Sequence, residues 1–181
     1  MLEALCRTLV RRPINLLAAI LERGLLHDVP FADVEGLRVG VHRGISDRSL
    51  HGRVIAALEL IKSVEPRRYR RLLRNITRIA VVQGKLQGYS EPLGVCWLSD
   101  KIMRRWSDAI TAAIIVHAAT QARFASAGIS AWGQAEARVR AQGIRDQVAF
   151  LKRLPEGWYP DRWAYIHWLE AVATAADLSA A

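Results

Sequence analysis

The amino-acid sequence predicts an α+β fold, mainly helical with a small antiparallel β element, and three observations lead there. A chain of 181 residues, 51% hydrophobic and 24% charged, has the size and composition of one ordinary core-forming domain. Apolar residues recur at helical spacing over most of its length. Two short apolar runs, Ile79 to Val82 and Val95 to Leu98, break that period next to Gly84 and Gly94. No repeat, low-complexity tract or linker divides the chain, so residues 1–181 read as a single domain.

Taken in order, Leu2 to Val10 and Pro13 to Arg23 read as helices, with Pro13 as a break or first-turn residue and Gly24 as a stop. Arg11-Arg12 ahead of the apolar stretch Ile14 to Leu21 suggests a leader. The stretch is short, however, and Glu22-Arg23 follows with no small-residue cleavage site, so it reads as a mature helix. Pro30 to Asp47, with Gly36, Gly40 and Gly44, reads as a loop containing one short strand, Leu37 to Val41. Ser49 is placed as the cap of a helix to Val64, whose Val54, Ile55, Leu58 and Ile61 share a face. Pro66 opens the next helix, with Tyr69, Leu72, Leu73 and Ile76 as its buried stripe.

The two apolar runs follow, joined by a loop with Gly88, Pro92 and Gly94, and are expected to pair antiparallel. Ser107 then caps the most apolar helix, from Ala109 through Ile114 and Val116 to a stop at Gly128. Its back face, with Ile115 and Ala119, is apolar too, which marks a central, buried helix. A more charged helix is expected from Gln134 to Leu154. A turn with Pro155, Gly157 and Pro160 precedes a last helix from Asp161 to about Ala176.

The formal charge of +9 and pI of about 10.4 favour an acidic protein or a polyanion, such as nucleic acid or anionic lipid, as partner. Arg67, Arg71, Arg74 and Arg78 fall at helical spacing as one basic stripe. Such a stripe is either an anion-binding face or, more commonly, a solvated one. Cys6 and Cys96 lie far apart with no CxxC pair, which gives no disulfide framework and makes the cytoplasm the simplest compartment. No apolar run approaches the ~20 residues that span a bilayer. Phosphate-loop, dinucleotide and nucleophile-elbow motifs are missing. Trp158, Trp163 and Trp168 are expected to pack in the core, and His27, His42, His51 and His167 have no metal-ligand spacing.

One constellation carries chemistry. On the apolar helix the segment Ile114-Ile115-Val116-His117-Ala118-Ala119-Thr120-Gln121-Ala122-Arg123-Phe124 puts His117 and Gln121 on one face, with Ile110, Ile114 and Phe124. The geometry is that of HExxH, in which two imidazoles hold zinc and the intervening Glu activates water. The segment resembles the "VHEATHARL" stretch of small bacterial zincin-like metallopeptidases of the gluzincin type. The likeness runs over about residues 66–155 and includes Gly128-Ile129 and the stretch from Phe150 to Pro155.

The resemblance implies that His117 is the first ligand, that Ala118 replaces the general base and that Gln121 replaces the second ligand. It places the third ligand on the following helix, roughly eighteen residues on, where Arg140 stands, with Glu136 one turn earlier as a fallback. A carboxamide is a poor zinc ligand, alanine accepts no proton, and arginine repels a cation.

The expectation is therefore a non-catalytic, pseudo-metallopeptidase domain that works by binding, with no catalytic residue, no metal and no cofactor. The alternatives are a zinc hydrolase with atypical ligands such as His117 and Glu136, and a basic helical module for nucleic acid or an anionic membrane surface.

Overall fold

The computed structural model describes residues 20–129 and 135–178, and the side chains of the last helix as far as residue 173. The expected helix from Leu2 to Val10 and most of the next one lie outside the described residues. Residues 20–27 (α1) are helical straight through Gly24, which does not stop the helix as expected.

Five strands make one mixed sheet: β1 (Phe31–Val34), β2 (Leu37–Val41), β3 (Arg78–Val82), β4 (Gly88–Ser90) and β5 (Val95–Ser99). Their spatial order is β1-β2-β3-β5-β4. The expected strand from Leu37 to Val41 is present, but the segment before it is a second strand, so the two form a hairpin rather than a loop. The expectation of a small antiparallel element needs a larger correction. β3 and β5 pair parallel, Ile79 opposite Cys96 and Val81 opposite Leu98. β2 also lies parallel to β3 on its other side.

The physical reason is visible in the strands themselves. Ile79 and Val81, with Cys96 and Leu98, enter the main core, while Ala80 and Val82, with Val95 and Trp97, enter a second cluster on the opposite face. Strands covered on both faces carry unbroken apolar runs, and parallel strands are of that kind. β5 can run parallel to β3 because the intervening stretch, read as loop, holds β4, which returns antiparallel along the outer side of β5. β4 is thereby an edge strand.

Helices α2 (Ser49–Val64) and α3 (Pro66–Asn75) connect β2 to β3, with Pro66 in the first turn of α3 as expected. Ser49 is the first helical residue rather than the cap: its N–H and its hydroxyl both donate to Asp47 Oδ1. A short helix not anticipated from the sequence, α4 (Asp100–Arg105), follows β5. Next comes α5 (Asp108–Ser126), ended by Gly128 at φ 74°, a left-handed conformation that favours glycine. Ser107 stands at its N-cap position, but its hydroxyl donates to Asp161 Oδ1 of the last helix, 2.9 Å away. The last two helices are α6 (Glu136–Lys152) and α7 (Asp161–Leu178).

α5 is buried along nearly its whole length and packs against α2, α3, α6 and strands β4 and β5. Its uniform apolarity therefore has a direct cause. Among the described residues no helix is long and apolar enough to cross a membrane. The C-terminal tryptophans contradict the core-packing expectation: Trp158, Trp163 and Trp168 are 65%, 45% and 56% exposed. The last turns close instead around Arg162. Its buried guanidinium donates to the carbonyls of Leu154 and Pro155 at 2.6 and 2.8 Å.

Candidate functional site

Three helix faces converge on a cleft of about 170 Å³, with Gln87 and Gly88 of the β4 edge at its side. α5 contributes Ile114 and His117, three apart; α6 contributes Arg140, Ile144 and Gln147; α7 contributes Tyr165, Trp168, Leu169 and Val172. Spacings of three, four and seven put each set on one stripe of its helix. The walls are apolar, and the polar atoms come from few residues.

His117 is seated by α6. Gly143 faces its ring so closely that a Cβ there would lie 2.7 Å from Cε1 and 2.8 Å from Nδ1 and Nε2. Only glycine lets the imidazole lie against that helix backbone. His117 Nδ1 is 3.0 Å from Gln147 Oε1. Gln147 is buried and lines the cleft together with Tyr165. Oε1 is an acceptor, so Nδ1 of His117 facing it carries the proton and Nε2 keeps a lone pair. Nε2 has no partner among the described residues.

Burial pushes His117 below its ordinary value; the Gln147 hydrogen bond opposes this, the Arg140 charge adds to it, and Asp146 opposes it. Burial likewise pushes the Tyr165 hydroxyl up to about 12. The cleft thus holds a neutral, oriented imidazole and a neutral phenol at neutral pH, with Arg140 as the one formal charge among its described lining side chains.

The residues singled out in the sequence fall in different places. Arg140 lines the same cleft as His117, so the following helix does bring that position to the imidazole. Gln121 is at the edge of the site, where its Oε1 accepts the Tyr89 N–H at 3.1 Å and ties β4 to α5. Ala118 is fully buried in the main core and does not line the cleft. Glu136 is exposed in the first turn of α6 and does not line it either. These residues do not fit a zinc ion. His117 offers one nitrogen, the Gln121 oxygen is engaged with the backbone, and the Arg140 guanidinium in the same cleft repels a cation. Among the described residues no group of three His, Cys, Asp or Glu side chains is placed to share a metal ion.

Known protein families, curated proteins and solved structures yield no match to this chain.

The basic stripe is partly rearranged. Arg67, Arg71 and Arg74 are exposed on α3, but the helix ends at Asn75, and Arg78 begins β3 opposite Arg38. Arg71 also lines a smaller pocket of about 70 Å³ with Arg68, Asn75, Arg123 and Asp146. Arg68 is neutralised there, bridging buried Glu65 and Asp146.

Sequence reasoning missed Gly143, Gln147 and Tyr165, and placed Trp168 in the core. The signal for Gly143 was present, because a glycine inside a helix costs about 1 kcal/mol relative to alanine and calls for a packing reason. Gln147 stands seven residues after Arg140, on the same helical stripe. Nothing comparable marked Tyr165 or Trp168, which reach the cleft only through the packing of α7.

Proposed function

We propose that this chain is a non-catalytic domain of zincin-like ancestry that works by binding, its cleft at His117 serving as a recognition pocket and not as a hydrolytic centre. The observation that carries this reading is what stands at each position of the metal set. His117 Nδ1 is held by Gln147, Gln121 Oε1 takes the Tyr89 N–H, and Arg140 supplies positive charge beside the imidazole. Ala118, in the place of the general base, has no proton acceptor and is turned into the core. Hydrolysis of the zincin type needs a complete metal-ligand set and a carboxylate base after the first His, and Gln121, Arg140 and Ala118 supply neither.

Elemental analysis of the purified chain tests the reading: no stoichiometric zinc is expected. One tightly held zinc per chain, lost in His117→Ala, overturns it. The ancestry has its own test. Gln121→His with Arg140→Glu restores ligand types without placing a carboxylate at the buried Ala118. The pair is expected to bind zinc, at a stability cost of about 1–3 kcal/mol for leaving the Tyr89 N–H unpaired. A folded double variant that binds no zinc removes the support for descent.

A second reading rests on a separate observation. Arg67, Arg71 and Arg74 have no acidic partner among the described residues, whereas Arg68 on the same helix has two. Uncompensated positive charge on one exposed face suits a polyanion.

A further inference from the structure

The contents of the His117 cleft restrict what can bind there. Its volume of about 170 Å³ is close to that of cavities that hold a single benzene ring (roughly 150 Å³) and well below the roughly 300 Å³ at which drug-sized pockets begin. A folded domain or an extended chain cannot be received in it, and one ring or a short branched chain can. Ile144, Leu169 and Val172 give that group an apolar wall. Trp168, 56% exposed and tilted against Tyr165 with ring centroids 5.4 Å apart, gives it an aromatic face at the mouth.

The polar groups are complementary to a particular head. Among the described residues Arg140 is the only charged side chain in the lining, and no carboxylate among them lines the cleft to neutralise it. Its planar fork matches a carboxylate in two parallel hydrogen bonds. The Nε2 lone pair of His117 accepts a hydrogen bond and, while Gln147 holds the proton on Nδ1, cannot donate one. A ligand that suits both therefore carries an anion and, near it, an N–H or O–H donor. An anion alone leaves Nε2 unsatisfied, and a neutral ligand leaves Arg140 unpaired.

We propose that this cleft binds a carboxylate that bears a neighbouring amide N–H and an apolar side chain. The carboxylate sits on Arg140, the N–H on His117 Nε2, and the side chain on Trp168 and the Ile144/Leu169/Val172 wall. Two sources share that chemistry, a free N-acylated hydrophobic amino acid and the C-terminal residue of a peptide. The inference rests on reading the cleft as a binding pocket, and it names what that pocket takes.

Calorimetric titration of the full chain with N-acetylphenylalanine tests it. Binding is expected at about 0.5 mM, the affinity that the usual ligand efficiency gives for a molecule of this size. N-acetylphenylalanine amide, which lacks the charge, is expected to bind roughly tenfold or more weakly, and Arg140→Gln to weaken the acid by a similar factor. Trp168→Ala weakens both ligands, and Arg74→Gln, outside the cleft, changes neither. A short peptide ending in a free phenylalanine carboxylate distinguishes the sources. Binding at least as tight as that of the free compound assigns a peptide terminus, and binding by the free compound alone assigns a small molecule.

Equal binding of acid and amide, an unchanged affinity in Arg140→Gln, or no heat from any probe at about 10 mM overturns the proposal. Running each titration with and without phenanthroline separates this result from the reading beneath it. Acid binding that the chelator abolishes is metal coordination and refutes the binding-pocket reading itself. Binding indifferent to the chelator but also to charge refutes only the ligand assigned here.

Discussion

Replacing Gly143 by alanine perturbs the seat of His117 with a single methyl group. The new Cβ would lie 2.7–2.8 Å from three atoms of the imidazole ring, where carbon atoms in contact settle at about 3.5–4.0 Å. Ring or helix must therefore shift by roughly 1 Å, and overpacking of that kind costs about 1–3 kcal/mol. Against this, alanine in a helix interior gains about 1 kcal/mol over glycine. If the ring escapes into the cleft instead, the strain is relieved but the bond to Gln147, worth about 1 kcal/mol, is lost.

Gly52 supplies the control. It lies in the first turn of α2, and a Cβ there meets nothing within 4 Å. Gly52→Ala is expected to stabilise by a few tenths to about 1 kcal/mol. Gly143→Ala should thus fall below Gly52→Ala by about 1–3 kcal/mol in urea unfolding, or roughly 2–10 °C in Tm for a domain of this size. NMR titration of His117 gives an independent readout. A ring displaced toward solvent loses the burial that holds its pKa down, so the value should rise toward 6.5. If the two alanine variants gain stability equally and His117 titrates as in the parent, the ring does not rest on Gly143. The account of an oriented imidazole then fails.

Two more predictions follow from the charges. Because His117 is held below 6.5 in the folded chain, the unfolded chain binds its proton first as the pH falls, and its contribution to stability is present above pH 6.5 and lost below it. The urea midpoint should therefore drop less between pH 7.5 and pH 5.5 in His117→Gln than in the parent, and equal drops exclude this residue as a source. For the α3 face, binding to duplex DNA should weaken with salt, and Arg71→Gln with Arg74→Gln should flatten the slope of log K against log salt by about 1–2 units, at roughly 0.9 per phosphate contact. An unchanged slope, or no binding at low salt, reduces these arginines to a solvated surface.

Much of the element order was legible because it is set locally. The start of α3 at Pro66, the extent of α2, the strand from Leu37 to Val41 and the uniform apolarity of α5 each follow from residues close together in the chain. Within the site, the shared face of α5 followed from spacing, while Arg140 was singled out only through the resemblance. The sheet was different. Ile79 to Val82 announces a strand but not its partner, because pairing direction depends on what the chain does between the strands, and Gly88–Ser90 is too short and glycine-led to stand out as one. The unbroken apolar run did hold the clue that both faces are covered.

The sequence by itself determined the helical period and the excess of arginine, since each is a property of residue types and their spacing. Only the tertiary structure decided that β3 and β5 run parallel, that Gln121 serves the β4 backbone, and that the C-terminal tryptophans stay exposed while Trp168 borders a cleft. Gln147 and Gly143, too, acquire their roles only there. A hydrogen bond across thirty residues, or a ring laid against a glycine of another helix, depends on how three helices pack. Helix packing is settled by the summed shape of side chains distant in sequence, and no local pattern records it.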